Sequence, residues 1–150
     1  MKTCITDFCR LEVQNNGITG VGSLRAAVDC AGGGDTIRFA PAVNNTQLDL
    51  STLSLTINKN LTILASPANN ISIISQSTTA PTIDITGAFD VKIFGLKIIG
   101  SQFSIAGIRN NGTLELNDVE VKKNPAFTPA SLVRNVSGTT SLFGNCKISQ

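Results

Sequence analysis

Histidine, tryptophan and tyrosine are all missing from this chain of 150 residues. Each gap removes a common chemical tool. Histidine is the side chain that titrates near neutral pH unaided, so the commonest agent of general acid–base catalysis is absent. A cysteine nucleophile also needs a neighbouring base, and no imidazole exists to serve. Sugar-binding surfaces usually rely on tryptophan or tyrosine as flat stacking platforms, and neither is available. Charge is scarce too: charged residues make up 15% and the formal net charge is +2. That leaves no electrostatic footprint for nucleic acid, and Lys122-Lys123, the longest basic run, reads as a solvated turn. No apolar run approaches the roughly 20 residues that a membrane-spanning helix needs. No cleavable signal pattern stands at the N-terminus, so an exported form is expected to have lost its leader already.

What is present suits a folded β protein. Hydrophobic residues are 41% of the chain, enough for a core, and 150 residues fit one domain. Asparagine, threonine, serine and isoleucine abound, a composition for many short strands and tight turns. One early stretch differs: GSLRAAVDCAGGGDTIRF, residues 22–39. Its glycines follow the helical pattern, whereas a phosphate loop places them before a helix whose N–H groups face the ligand. Ser23 is a good N-cap, and Leu24, Ala27, Val28 and Ala31 fall on one helical face. The pattern predicts a helix over 23–31, an Arg25–Asp29 pair beside its apolar face, and Gly32 at the positive-φ stop position. The nucleotide-binding reading is rejected.

After the helix, short apolar-alternating runs recur between turn residues. They fall into three interleaved series sharing a period of about 25 residues. One follows Ile37, Leu61, Val91, Leu114 and Ser141; a second follows Leu48, Ile71, Leu96, Val119 and Cys146; a third follows Thr56, Ile83, Gly107 and Val133. Three series with one period describe a coil of three strands per turn. The fold expected is all-β, a right-handed parallel β-helix of four to five coils with one short N-terminal capping helix. Residues 1–35 would form the first strand and cap, and 36–150 the coils of a single β-helix domain. Val91, Ile93, Leu96, Ile98, Leu114, Leu116, Val119, Val121, Phe143 and Ile148 are expected inside, with Lys92, Lys97, Glu115, Glu120 and Lys147 outside. Glu115 would lie against Lys92, and Glu120 between Lys97 and Lys147, on coils about 4.8 Å apart.

The residues Gly22-Ser23-Leu24-Arg25-Ala26-Ala27-Val28, then Asp35-Thr36-Ile37-Arg38-Phe39, Pro41 and Leu55-Thr56-Ile57-Asn58-Lys59-Asn60-Leu61-Thr62-Ile63 carry a family likeness. This stretch resembles the start of secreted bacterial right-handed parallel β-helix repeat proteins, similar to adhesins and polymorphic outer-membrane proteins. The likeness covers about residues 11–99. It implies a helix that covers the open end of the first coil, and a secreted or cell-surface location. It implies no catalytic residue, because the shared motif contains none.

Four cysteines stand at 4, 9, 30 and 146. Cys9 leads into a strand expected over 10–14, and Cys30 closes the helix packed above it. A disulfide from Cys30 to Cys9, with Cys4 as the alternative partner, would staple the cap to the first coil and implies an oxidising compartment. Cys146 aligns with Leu96 and Val119 and reads as a buried free thiol acting as a small hydrophobe. The cysteine spacing is poor for zinc.

Parallel β-helices also include pectin lyases and glycoside hydrolases, which need clustered acids for calcium or paired carboxylates. The candidates Asp84, Asp90, Asp118 and Glu120 appear scattered over turns and outward ladders, with Asp118 and Asp35 at positions where turns favour Asp. Triplets N-x-S/T at Asn44, Asn60, Asn70, Asn111 and Asn135 follow from composition. Thr56, Thr62, Thr82 and Thr113 do not form the single file of an ice-binding face. The expectation is a non-enzymatic structural or adhesin-type module with no cofactor or metal and no catalytic residue, no nucleic-acid partner and no membrane span. Glycans or host-surface molecules are the expected partners, together with further coils or another copy at the C-terminal face. The alternative is a carbohydrate-active β-helix whose active site lies outside the readable motifs.

Overall fold

The computed structural model describes residues 10–149. The short strand β1 (Glu12–Val13) leads into the helix α1 (Leu24–Cys30). The chain then winds through β2 (Asp35–Phe39), β3 (Gln47–Asp49) and β4 (Leu55–Ile57) as a first coil. A second coil holds β5 (Leu61–Leu64), β6 (Ser72–Ile74) and β7 (Ile83–Ile85); a third holds β8 (Asp90–Phe94), β9 (Lys97–Ile99) and β10 (Ile105–Asn110). The fourth comprises β11 (Thr113–Asn117), β12 (Glu120–Lys122) and β13 (Ser131–Asn135), followed by β14 (Thr139–Phe143) and β15 (Lys147–Ser149). Strands stack into three sheets, in the orders β1-β2-β5-β8-β11-β14, β3-β6-β9-β12-β15 and β4-β7-β10-β13. Every pairing is parallel. This is the three-sheeted parallel solenoid that the interleaved series implied. No described helix is long and apolar enough to cross a membrane.

The core is a set of columns running from coil to coil. Val91 pairs with Leu114, Ile93 with Leu116 and Ile98 with Val121, and none is more than 1% exposed. Burying each such side chain is worth about 1.5–3 kcal/mol. Leu96 and Val119 are buried as well, as expected.

The three series hold, but their registers shift in places. Leu61 pairs with Asp35, not Ile37, and Leu48 with Ile73, not Ile71. In the third sheet Leu55, Ile83, Ile108 and Val133 align, where Thr56 and Gly107 had been expected. On β14 the cause is plain. The coil-to-coil offset is 26 residues at Thr113↔Thr139 and 27 at Glu120↔Lys147, so the turn between β14 and β15 carries one extra residue. A one-residue slip inverts the faces of a strand. Leu142 therefore stands in the column of Leu116, while Phe143 continues the outward column of Phe94 and Asn117 and is 49% exposed. Ile148 keeps its column beside Val121 yet is 42% exposed, because no described strand pairs on its far side. The expected burial of Phe143 and Ile148 is thus corrected. Lys92 is exposed, whereas Lys97, Glu115 and Glu120 are half-buried, because neighbouring coils cover their stems.

The cap also differs in detail. The Ser23 side chain accepts from the Ala26 amide, and Leu24, Ala27 and Val28 bury the face turned to the core. Gly32 is not the left-handed stop: Ala31 ends the helix in an extended conformation and Gly34 takes positive φ (87°), while the Gly32 amide donates to the Asp35 carboxylate. Arg25 donates to the Ser54 carbonyl on the first coil and not to Asp29. Lys59, to which the sequence assigned no role of its own, donates to the carbonyls of Val28 and Ala31, both at 2.8 Å. It supplies the cation that the helix C-terminus lacks within its own last turn. Lys59→Ala is expected to cost about 1–2 kcal/mol in urea unfolding, and Lys59→Arg less.

Candidate functional site

One corner recurs on each coil, as a loop holding a short 3-10 turn on the first two (Pro41–Val43 and Pro67–Asn69) and as a tight turn on the later ones. Where the chain passes from the first sheet to the second, a residue with positive φ recurs: Asn45 (59°), Asn70 (51°), Gly95 (69°), Asp118 (52°) and Gly144 (65°). Glycine adopts this conformation freely, and Asn or Asp tolerate it best among the rest. The turn reading of Asp118 is therefore supported. Backbone pairing continues through the corner, with the Gly95 amide donating to the Asn117 carbonyl and the Asp118 amide to that of Phe143.

Because the turns stack, their side chains form a file down the solenoid. The Asn70 amide donates to the Asn45 Oδ1 at 3.2 Å, and Lys97 Nζ donates to the Asn70 Oδ1 at 2.7 Å. The Asn145 amide N–H donates to the Asp118 Oδ1 at 2.8 Å. Beside this file runs a groove of about 230 Å³, lined by Pro67, Asn70, Gly95, Lys97, Asp118, Glu120, Asn145 and Lys147 among others. Its walls come from four successive coils. Two carboxylates that seemed scattered, Asp118 and Glu120, thus share one groove with two lysines. Glu120 lies in register between Lys97 and Lys147, as expected. It makes no ion pair or hydrogen bond with either among the described residues. The Glu115–Lys92 pair on the first sheet does form, at 3.8 Å.

The other carboxylates lie elsewhere. Asp90 is on β8, its amide donating to the Asn60 Oδ1. Asp84 on the third sheet takes a two-pronged hydrogen bond from Arg109, at 3.0 Å from Nε and 2.6 Å from Nη2. The strand register sets this pair, since Arg109 lies directly opposite Asp84. Hydrogen bonding to Asp84 raises the Arg109 pKa against the opposing pull of burial. A raised guanidinium pKa stabilises at every pH below its ordinary value and is lost only as pH climbs through the folded value, so this group gives no pH dependence near neutrality. Asp84→Ala leaves Arg109 unpaired and should cost about 1–2 kcal/mol in urea unfolding; that is below the range for a fully buried pair, because a third of the arginine side chain meets water.

Amide ladders add to these contacts. The buried Asn110 donates to the Asn135 Oδ1 at 3.1 Å and to the Thr139 carbonyl at 2.8 Å, and accepts from the Gly112 amide. Asn111 donates to the Ile85 carbonyl, so with Asn60 beneath the Asp90 amide four of the N-x-S/T asparagines (60, 70, 111 and 135) make coil-to-coil contacts. Among the described residues no group of three or more His, Cys, Asp or Glu gathers as metal ligands would. Cys146 is a free, partly buried thiol that packs on the core and donates to the Phe143 and Leu116 carbonyls. Cys30 is the last residue of α1, while Cys4 and Cys9 lie outside the described residues, and with them the expected staple.

Sequence reasoning missed the Asp84–Arg109 pair and the corner groove. The signal for the groove was available: Asn, Asn, Gly, Asp and Gly recur at spacings of 25, 25, 23 and 26 residues. No protein-family model, curated protein or solved structure matches the chain.

Proposed function

We propose that this chain is a non-enzymatic β-helix module of an extracellular or cell-surface protein, of the structural or adhesin type found in bacteria. One observation carries the reading: on each of its three sheets or corners, polar side chains join one coil to the next. Lys92 meets Glu115, Arg109 meets Asp84, Asn110 meets Asn135, and Lys97 and Asn70 continue to Asn45. Side chains held this way stiffen a rod and set its register. The two carboxylates of the groove hang from one coil, two residues apart, with lysines on the coils to either side. That arrangement favours display over hydrolysis, which places an acid and a nucleophile or base on opposite sides of a bond. A bridge from Cys30 to Cys9 or Cys4 belongs to the same reading, since it would persist in an oxidising compartment.

The test has two arms. Incubation with a panel of plant and microbial polysaccharides is expected to release no product, and product release would install the carbohydrate-active alternative instead. In the source cell, antibody labelling of intact cells should find the protein outside, and a purely intracellular signal would overturn the reading. Non-reducing peptide mapping should recover Cys30 joined to an N-terminal cysteine.

A further inference from the structure

We infer that the corner groove holds a neutral glycan segment laid along the solenoid axis. The inference rests on the surface-module reading and specifies its ligand. The groove offers open hydrogen-bonding groups drawn from successive coils. On the first sheet the in-register charges Lys92 and Glu115 close on each other. At the corner Glu120 stands between Lys97 and Lys147 in the same manner, but Lys97 turns to Asn70 and Glu120 closes on neither. Asp118 commits Oδ1 to the Asn145 amide, and no hydrogen bond engages its Oδ2 among the described residues. Open acceptors on one coil therefore share the groove with an open ammonium, Lys147, on the following coil, where Lys147 lies in register with Glu120.

The ligand class follows from the charge pattern. Two lysines and two carboxylates sum to zero, and their signs alternate along the axis. A polyanion or polycation would lose on one coil what it gained on the next. A row of hydroxyls suits both, since each hydroxyl donates to a carboxylate and accepts from an ammonium or amide. Pro67, exposed at the groove edge, offers an apolar face for sugar C–H groups where tryptophan and tyrosine are missing.

The direct test titrates the whole 15N-labelled chain with cellohexaose, laminarihexaose and mannohexaose, beside hexagalacturonate and a heparin hexasaccharide. Saturable shifts with at least one neutral sugar are expected at the amides of Asn70, Gly95, Glu120 and Lys147. Glu120→Gln should weaken that binding by about fivefold or more, while Lys92→Gln leaves it unchanged. An unchanged unfolding midpoint in both variants guards against misfolding. Three results overturn the inference: no shift with any neutral sugar, shifts that gather away from the corner, or tighter binding of the charged sugars. If neutral sugars fail while the chain still labels cell surfaces, only this inference falls. Cleavage of polysaccharide removes the surface-module reading itself.

Discussion

Replacing Ile93 by alanine is expected to lower stability by about 2–4 kcal/mol, read as a drop in the urea midpoint at unchanged slope. Ile93 is fully buried between Ile63 above and Leu116 below, on three consecutive coils of the first sheet. Removing its methyl groups leaves a cavity inside a tube of hydrogen-bonded coils. The spacing of the coils is fixed by their backbone ladders, so the neighbouring layers have little freedom to close the gap, and the cost should sit well above the bare transfer term. The internal comparison is Ile148→Ala, in the column of Val121 but 42% exposed, which should cost under about 1 kcal/mol. Equal losses at the two positions would mean that the last strands are packed as tightly as the middle, contrary to their exposure.

Gly95→Ala should be about as damaging, at about 2–5 kcal/mol, for a backbone reason. Gly95 has φ of 69°, in the left-handed region where a side chain costs about 1–2 kcal/mol. Space makes matters worse. A Cβ there would lie 2.5 Å from the Ala65 carbonyl oxygen and 2.7 Å from Ser66 Cα, both backbone atoms of the preceding coil. Either the corner opens or the third coil tilts away from the second. Asn70 and Asp118 occupy the same corner on adjacent coils with φ of 51° and 52°, so the left-handed conformation alone does not forbid a side chain. Asp118→Ala should therefore cost less, about 1–2 kcal/mol, through the lost acceptor for the Asn145 amide. Thermal unfolding of the two variants in parallel separates steric closure from left-handed strain.

The residues by themselves determined the helix, its N-cap and the three-strand coil. These depend on spacing along the chain: apolar residues at helical intervals after Ser23, and alternation at about 25-residue recurrence afterwards. Where the turn length repeats, register was legible as well. Glu115 opposite Lys92 and Glu120 between Lys97 and Lys147 follow from the matched strands VKIFGLKI and LELNDVEV. Register failed at the turn between β14 and β15, because one extra turn residue is invisible until the hydrogen bonds on both sides are known. Chain spacing likewise could not tell which of two complementary charges would close. Lys92 reaches Glu115, whereas Lys97 prefers Asn70, a partner 27 residues away across the corner. Only the stacking of the turns decided that. The groove has the same origin: Asp118, Glu120 and Lys147 are ordinary turn and strand residues in the chain, and they face one cavity because left-handed corners superimpose coil upon coil.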